Sequence, residues 1–262
     1  MAEFAVSADG TRIVFERRGR GPAVIMVPGA MQQRAGDAMT AALAERLAAR
    51  GFTSVHYDRR GRGESGPVQP QDAGSEVQRE IEDIAAIVRA VGGTASLFGN
   101  SSGGALALWA AQSGVPVSRI AVWEVPLATD DDGEAAENVA VLRSRVAAKQ
   151  NEAALEHFMK DMPPAWLEGA KAGGAWPGMV ALAPSLVADA ASLAIGPRES
   201  LWSHVTQPVL VLVGEQTLPV FPPAAELLVD TLADARRQTI AGQSHQWQLE
   251  AMESALADFF GA

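Results

Sequence analysis

One serine in this 262-residue chain stands where a serine can become a nucleophile. Gly99-Asn100-Ser101-Ser102-Gly103-Gly104 follows an apolar run, Ser96-Leu97-Phe98, and precedes a helix-forming stretch from Ala105 to Ala111. That order predicts strand, tight turn and helix, with Ser101 at the turn. Gly99 and Gly103 give the spacing Gly-x-Ser-x-Gly. Small neighbours let strand and helix pack closely while the serine takes a strained backbone conformation. The turn lifts the hydroxyl above the sheet. It also aims the Ser102 amide and the helix N-terminus at an oxygen that turns negative during acyl transfer. Taken alone, the pattern also fits an ordinary strand-to-helix turn, so its partners matter.

A serine hydroxyl is a poor nucleophile until a base takes its proton. The chain has four histidines. His56 lies in or near the end of a strand, and His157 and His204 belong to a helical stretch. His245 follows the last strand, at the same sheet edge as Ser101, and is therefore the expected base. A second amide for the developing oxyanion is expected at Ala30. It follows the apolar run Ala23 to Val27, and open α/β sheets place ligands at such strand ends.

The elements that must position these groups alternate. Residues 3–18 read as a hairpin around Asp9-Gly10. Arg17 to Gly21 reads as a solvated loop, and Ala23 to Val27 as a strand buried on both faces of a parallel sheet. A helix is expected from Ala38 to Arg50, with Met39, Leu43 and Leu47 on one face, then a strand from Thr53 to Tyr57. Asp58-Arg59-Arg60-Gly61-Arg62-Gly63-Glu64-Ser65 reads as a tight, internally hydrogen-bonded loop. Its spacing is not that of a P-loop. Val77, Ile81, Ile84, Ala85, Val88 and Val91 mark one face of the next helix, with Glu80, Glu82 and Asp83 on the others. Ser118 to Val125 is a further strand. Composition then shifts at Asp130-Asp131-Asp132-Gly133, and residues 127–203 show helical patterns without a convincing strand. Alternation resumes at Val209 to Val213. Arg236 to Ile240 reads as a short strand, 241–245 as a loop, and Gln248 to Phe260 as a terminal helix. The fold expected is α/β: a mostly parallel central sheet flanked by helices. Its core is 1–126 with 204–262, and 127–203 is an inserted helical cap.

Composition narrows the function. Cysteine is absent, which removes thiolate catalysis and Cys-ligated metal. No His-x-x-x-His spacing is present and the elbow glycines do not form Gly-x-Gly-x-x-Gly, so no metal or other cofactor is expected. A net charge of −10 disfavours nucleic acid as a partner. No apolar run approaches a membrane span and no basic-then-apolar leader opens the chain, so a cytoplasmic protein without a membrane partner is expected. The expected partner is a small apolar molecule, in a pocket lined by Met31, Trp123, Phe158 and Trp176. Composition leaves monomer and homodimer both open.

Four stretches together resemble the α/β-hydrolase superfamily, and look like actinobacterial single-domain hydrolases with a helical lid. They are Val27-Pro28-Gly29-Ala30, Tyr57-Asp58-Arg59-Arg60-Gly61-Arg62-Gly63-Glu64-Ser65, Gly99-Asn100-Ser101-Ser102-Gly103-Gly104 and Gly242-Gln243-Ser244-His245. The resemblance implies Ser101 as nucleophile, His245 as base, and the Ala30 and Ser102 amides as oxyanion hole. It departs at the acid. The family usually places Asp after the penultimate strand, where this chain has Gly214-Glu215-Gln216-Thr217. Some relatives carry the carboxylate after the strand that follows the elbow helix, and here that position offers Glu124. A glutamate ending an apolar strand is costly to bury without a partner, and an imidazole is such a partner. Glu124 is the first choice, Glu215 the second, and a Ser–His pair with no acid the third. The activity implied is hydrolysis of an ester, thioester or lactone of a small apolar metabolite through an acyl-enzyme on Ser101. A missing acid would favour carbon–carbon cleavage, cyclisation or elimination on the same fold. A non-catalytic ligand-binding relative would need a broken triad.

Overall fold

The computed structural model describes residues 2–128, 133–194 and 201–261; Asp130-Asp131-Asp132 of the acidic break lies outside them. Among the described residues nine strands form one sheet. They are β1 (Glu3–Val6), β2 (Arg12–Gly19), β3 (Ala23–Val27), β4 (Thr53–Tyr57), β5 (Ala95–Asn100), β6 (Val117–Trp123), β7 (Val209–Gln216), β8 (Ala235–Gln243) and β9 (Gln246–Trp247). Their order is β1-β2-β4-β3-β5-β6-β7-β8-β9. The run from β4 to β8 is parallel, and antiparallel β1-β2 and β9 close its two edges.

Side chains alternate across each strand, so one strand feeds two cores. Ile25, Val27 and Leu97 face one layer, shared with α2 (Glu76–Ala90), α3 (Ser102–Gln112) and α9 (Phe221–Thr231). Val24, Met26 and Phe98 face the other, shared with α1 (Ala38–Ala49) and α10 (Leu249–Phe260). Each fully buried Leu, Ile or Phe contributes about 1.5–3 kcal/mol, and the central strands bury every residue of β3 and β4. Between β6 and β7 the described residues form only helices: α4 (Glu134–Ala147), α5 (Asn151–Phe158), α6 (Pro164–Ala172), α7 (Trp176–Ala181) and α8 (Ala183–Leu193). Helix α8 packs on α2 and α3 as well as on its own neighbours. No helix among the described residues is long and apolar enough to cross a membrane.

Several local expectations change. Arg17 to Gly19 belong to β2, with Arg17 paired to Glu3 and Arg18 to Glu45. Met39 is exposed, while Leu43 and Leu47 are buried. Strand β8 runs on to Gln243 and pairs with β9, leaving Ser244-His245 as a two-residue hairpin turn. Both have positive φ, 51° and 71°, as a type I′ turn requires.

The 58–65 loop is tight, as its glycines imply, since Ser65 Oγ donates to Asp58 O at 2.6 Å, and Arg59, Arg60 and Arg62 are buried. Glu80 and Asp83 of α2 are buried with them. Arg59 pairs with Glu80 at 2.9 Å and with Asp189 of α8. Arg60 forms a two-pronged pair with Asp83, both contacts 2.7 Å. Arg62 meets Asp189 at 2.5 Å. A buried guanidinium is tolerated only when paired, and these partners supply that.

Candidate active site

Ser101 sits between β5 and α3 with φ 55° and ψ −127°, a conformation costly for any residue with a side chain. Two contacts hold it there. Its N–H donates to Trp123 O at 2.8 Å, across the β5–β6 register. The first turn of α3 is also pressed against β3: a Cβ on Gly103 would stand 2.3 Å from Val27 O. Only glycine allows that approach.

Glu124 follows β6 at the same sheet edge. Its N–H donates to Leu212 O at 3.1 Å, and its φ is 45°. Its side chain is wholly buried. Oε2 lies 2.7 Å from His245 Nδ1, and Oε1 accepts the Gly214 N–H at 2.9 Å. A carboxylate can only accept, so Nδ1 carries the proton and Nε2 keeps its lone pair. The ring stacks on Phe221 with centroids 4.5 Å apart and planes within 6°. The Trp123 indole donates to His245 O at 3.3 Å. Trp123-Glu124 thus touches both the serine's backbone and the histidine. Among the described residues no hydrogen bond joins Ser101 Oγ to the ring. Glu215 is exposed and makes no hydrogen bond to His245 among the described residues, and Thr217 Oγ1 is buried without a partner.

The loop after β3 lies against the serine: a Cβ built on Gly29 would be 3.0 Å from Ser101 Cβ. Gln32 Oε1 accepts both the Gly29 N–H, at 2.6 Å, and Asn100 Nδ2, at 2.8 Å. From the buried side Arg62 donates to Gly29 O at 2.5 Å and Arg59 to Pro28 O at 3.3 Å. Ala30 and Ser102 therefore flank Ser101 on two chain segments.

Ala30, Met31, Phe158 and Trp176 pack into one apolar cluster around Leu155, Met159 and Leu186. Trp123 does not join them. It is fully buried and stands edge-on to Trp247 in the core beneath the sheet, so it lines no pocket. A cavity of about 480 Å³ opens beside Met31 and Gln32, with Gly174, Gly178 and Met179 on its far wall.

Asp189 belongs to no motif that marks it in the sequence. It lies on α8, fully buried, and accepts the Ser102 hydroxyl at 2.7 Å while pairing with Arg59 and Arg62. Burial pushes its carboxyl upward, but Arg59, Arg62 and the Ser102 hydroxyl outweigh that and hold it below the usual carboxylate value. The available signal was one acid inside the otherwise uncharged helix from Ala183 to Leu193.

A strand–serine–helix elbow at the carboxyl edge of a mostly parallel sheet, with a buried glutamate–histidine pair beside it, defines an α/β-hydrolase fold. The sequence profile of the alpha/beta hydrolase family matches residues 24–259. The chain belongs to the alpha/beta hydrolase family. It is similar to an alpha/beta hydrolase from Sphaerobacter thermophilus, with 38% identity and a TM-score of 0.83 over 98% of this chain and 100% of that one. It shares its fold with an esterase from Exiguobacterium antarcticum (20% identity, TM-score 0.73, 100% of each chain). An enol-lactonase from Burkholderia xenovorans matches at 16% identity and TM-score 0.69 over 99% of this chain and 100% of that one. A comparison with curated proteins finds no match.

Proposed function

We propose that the protein is a serine hydrolase that cleaves a carboxylic ester, thioester or lactone of a small apolar molecule. The observation that carries the reading is the 2.7 Å contact between Glu124 and His245 at the sheet edge that holds Ser101. Glu124 fixes the tautomer in which Nε2 can accept a proton, and it stabilises the imidazolium once formed. His245 Nε2 takes the Ser101 proton as Oγ attacks the carbonyl carbon. In ligand-free sites such a serine–histidine bond is often long and tightens with substrate. The carbonyl oxygen becomes an oxyanion facing the amides of Ala30 and Ser102. The intermediate collapses, the proton passes from His245 to the leaving oxygen or sulfur, and an acyl-enzyme remains. Water, deprotonated by His245, then releases the acid and restores Ser101.

The helices between β6 and β7 serve as a cap. Phe158 and Trp176 lie on that cap and meet Ala30 and Met31 beside the elbow, which favours an apolar acyl or alcohol group. Carbon–carbon cleavage, cyclisation or elimination drew its support from an absent acid. A carboxylate on His245 withdraws that support. The test is Ser101→Ala against wild type, using p-nitrophenyl butyrate hydrolysis and covalent labelling by a fluorophosphonate. Both should vanish in the variant; labelling that survives it rejects the assignment.

A further inference from the structure

Resting on that reading, we infer that Asp189 and Arg62 are positioning residues for the oxyanion hole, so that the hole is complete only with α8 docked. The two amides assigned to the oxyanion come from different segments. Ala30 lies on the loop after β3, and Ser102 opens α3. Within the core, Gln32 ties Gly29 to Asn100 and Gly103 packs on Val27, but neither contact holds the Ala30 peptide or the Ser102 side chain. Asp189 reaches both.

The first arm runs through Arg62. Asp189 Oδ2 takes Nη2 at 2.5 Å, and Ser185, also on α8, takes Nε at 2.9 Å. With those edges fixed, Nη1 faces the loop after β3 and donates to Gly29 O at 2.5 Å and to Gln32 O at 3.3 Å. The Gly29–Ala30 peptide is trans, like every other peptide bond among the described residues. In a trans peptide the C=O and the following N–H point in opposite directions from one plane. Pulling Gly29 O inward to the guanidinium therefore turns the Ala30 N–H outward, away from the buried arginine. Gln32 holds the preceding N–H, that of Gly29, so the strand of peptides cannot rotate as a unit.

The second arm is direct. Asp189 Oδ1 accepts the Ser102 hydroxyl at 2.7 Å, which anchors the residue whose amide is the other donor. Arg59 reinforces the group by binding the same Oδ1 and reaching Pro28 O. One carboxylate of the insertion thus sets the spacing of two donors that belong to the core. An oxyanion hole gains its effect from donors already aimed at the developing charge, so loosening them weakens the transition state more than the bound ester.

The experiment compares Asp189→Asn, Ser102→Ala and Arg143→Met with wild type and Ser101→Ala on p-nitrophenyl butyrate. Ser102→Ala keeps the backbone amide and removes only the hydroxyl, so it decides the question if Asp189→Asn does not fold. Arg143→Met cuts a different contact between insertion and core, the Arg143–Glu76 pair at 2.7 Å. A second readout is the inhibition constant of a trifluoromethyl ketone. Ser101 Oγ adds to its carbonyl carbon, the π pair moves onto oxygen, and His245 takes the serine proton, so the adduct presents the oxyanion itself. Asp189→Asn and Ser102→Ala should lower kcat about 10- to 100-fold with KM within about threefold, and raise the inhibition constant by the same factor as kcat falls. The pH profile should keep its wild-type midpoint, because His245 and Glu124 are untouched. Arg143→Met should leave kcat unchanged. The inference is overturned if folded Asp189→Asn or Ser102→Ala keeps wild-type kcat, if kcat falls without matching loss of inhibitor affinity, or if Arg143→Met falls equally. With Ser101→Ala inactive, those outcomes remove this inference alone; an active Ser101→Ala removes the serine-hydrolase reading and this inference with it.

Discussion

Glu124→Gln isolates the acid with almost no change of shape. Glu124 meets two donors from a side chain with no exposure: the Gly214 N–H at 2.9 Å and His245 Nδ1 at 2.7 Å. Glutamine has one acceptor and one donor to offer them. The Gly214 N–H cannot become an acceptor, so the glutamine oxygen must stay on it. Its NH₂ then faces Nδ1, which must give up its proton, and the proton moves to Nε2. In that tautomer Nε2 cannot take the Ser101 proton. Restoring the productive tautomer means turning the amide over, which leaves two buried donors facing one another. Each such group costs about 1–3 kcal/mol, so the flip costs about 2–6 kcal/mol. The lost stabilisation of the imidazolium adds to this, and the wrong tautomer in a Ser–His–Asp site costs about 10⁴ in kcat, or about 5.5 kcal/mol. A fall of about 10³- to 10⁴-fold is expected, with a melting temperature near that of wild type. The assay is steady-state hydrolysis of p-nitrophenyl butyrate with melting followed by circular dichroism. A Glu124→Gln protein that keeps more than about a tenth of wild-type kcat, while Ser101→Ala is dead, refutes the assignment of the acid. Glu215→Gln should match wild type, since that side chain is exposed and makes no hydrogen bond to the ring among the described residues.

Gly103→Ala drives a methyl to 2.3 Å from Val27 O, against backbone that cannot yield cheaply. Overpacking of this kind costs about 1–3 kcal/mol, and a lowered melting temperature in thermal denaturation is expected; a melting temperature equal to wild type would show that the elbow has slack. Asp9 gives a pH test. Burial raises its carboxyl, but the Thr11 N–H and Arg60 outweigh this and hold it at about 2, below the ordinary 3.8. Its folded pKa is depressed, so its stabilisation is complete above 3.8 and lost as pH falls towards 2. Asp9→Asn should therefore be less stable than wild type in urea at neutral pH, with the gap closing between pH 4 and pH 2; a gap that widens on acidification contradicts the assigned cause.

What could be read from the sequence was local. Strands β3 and β5 announce themselves as short apolar runs, and the elbow as glycines around a serine before a helix. Glu124 was readable as a carboxylate at the end of an apolar strand, which must find a partner. The arginine cluster was not readable, because its meaning lies in partners far along the chain. Arg62 and Asp189 are 127 residues apart. A run of arginines among glycines carries the same local pattern whether solvated or buried. The turn at Ser244-His245 was hidden for another reason. Ser-His is not the Asn-Gly or Asp-Gly pair that marks a type I′ turn, so the sequence shows a loop where β8 continues. Trp123 shows a pattern that was present but unused. It alternates in phase with Ala121, and that phase faces the core of α1 and α10 rather than a pocket.

The hidden turn belongs to a wider regularity with a measurable consequence. Five of the seven non-glycine residues with positive φ among the described residues gather at this site: Met31, Ser101, Glu124, Ser244 and His245. Each such residue costs on the order of 1–3 kcal/mol, so together they take up an amount comparable to the net stability of a domain. Ser101 is the sharpest case, because φ 55° with ψ −127° lies where only glycine is at ease. Ser101→Gly removes that strain. It also gives the unfolded chain more freedom, which costs about 0.4–1 kcal/mol. If the strain exceeds that cost, the variant gains about 1–2 kcal/mol while losing the proposed nucleophile, and its melting temperature rises by about 2–8 °C. Ser101→Ala, which keeps a Cβ and therefore the strain, should gain nothing comparable. A Ser101→Gly protein that melts no higher than Ser101→Ala would mean that the elbow holds its serine without stored strain.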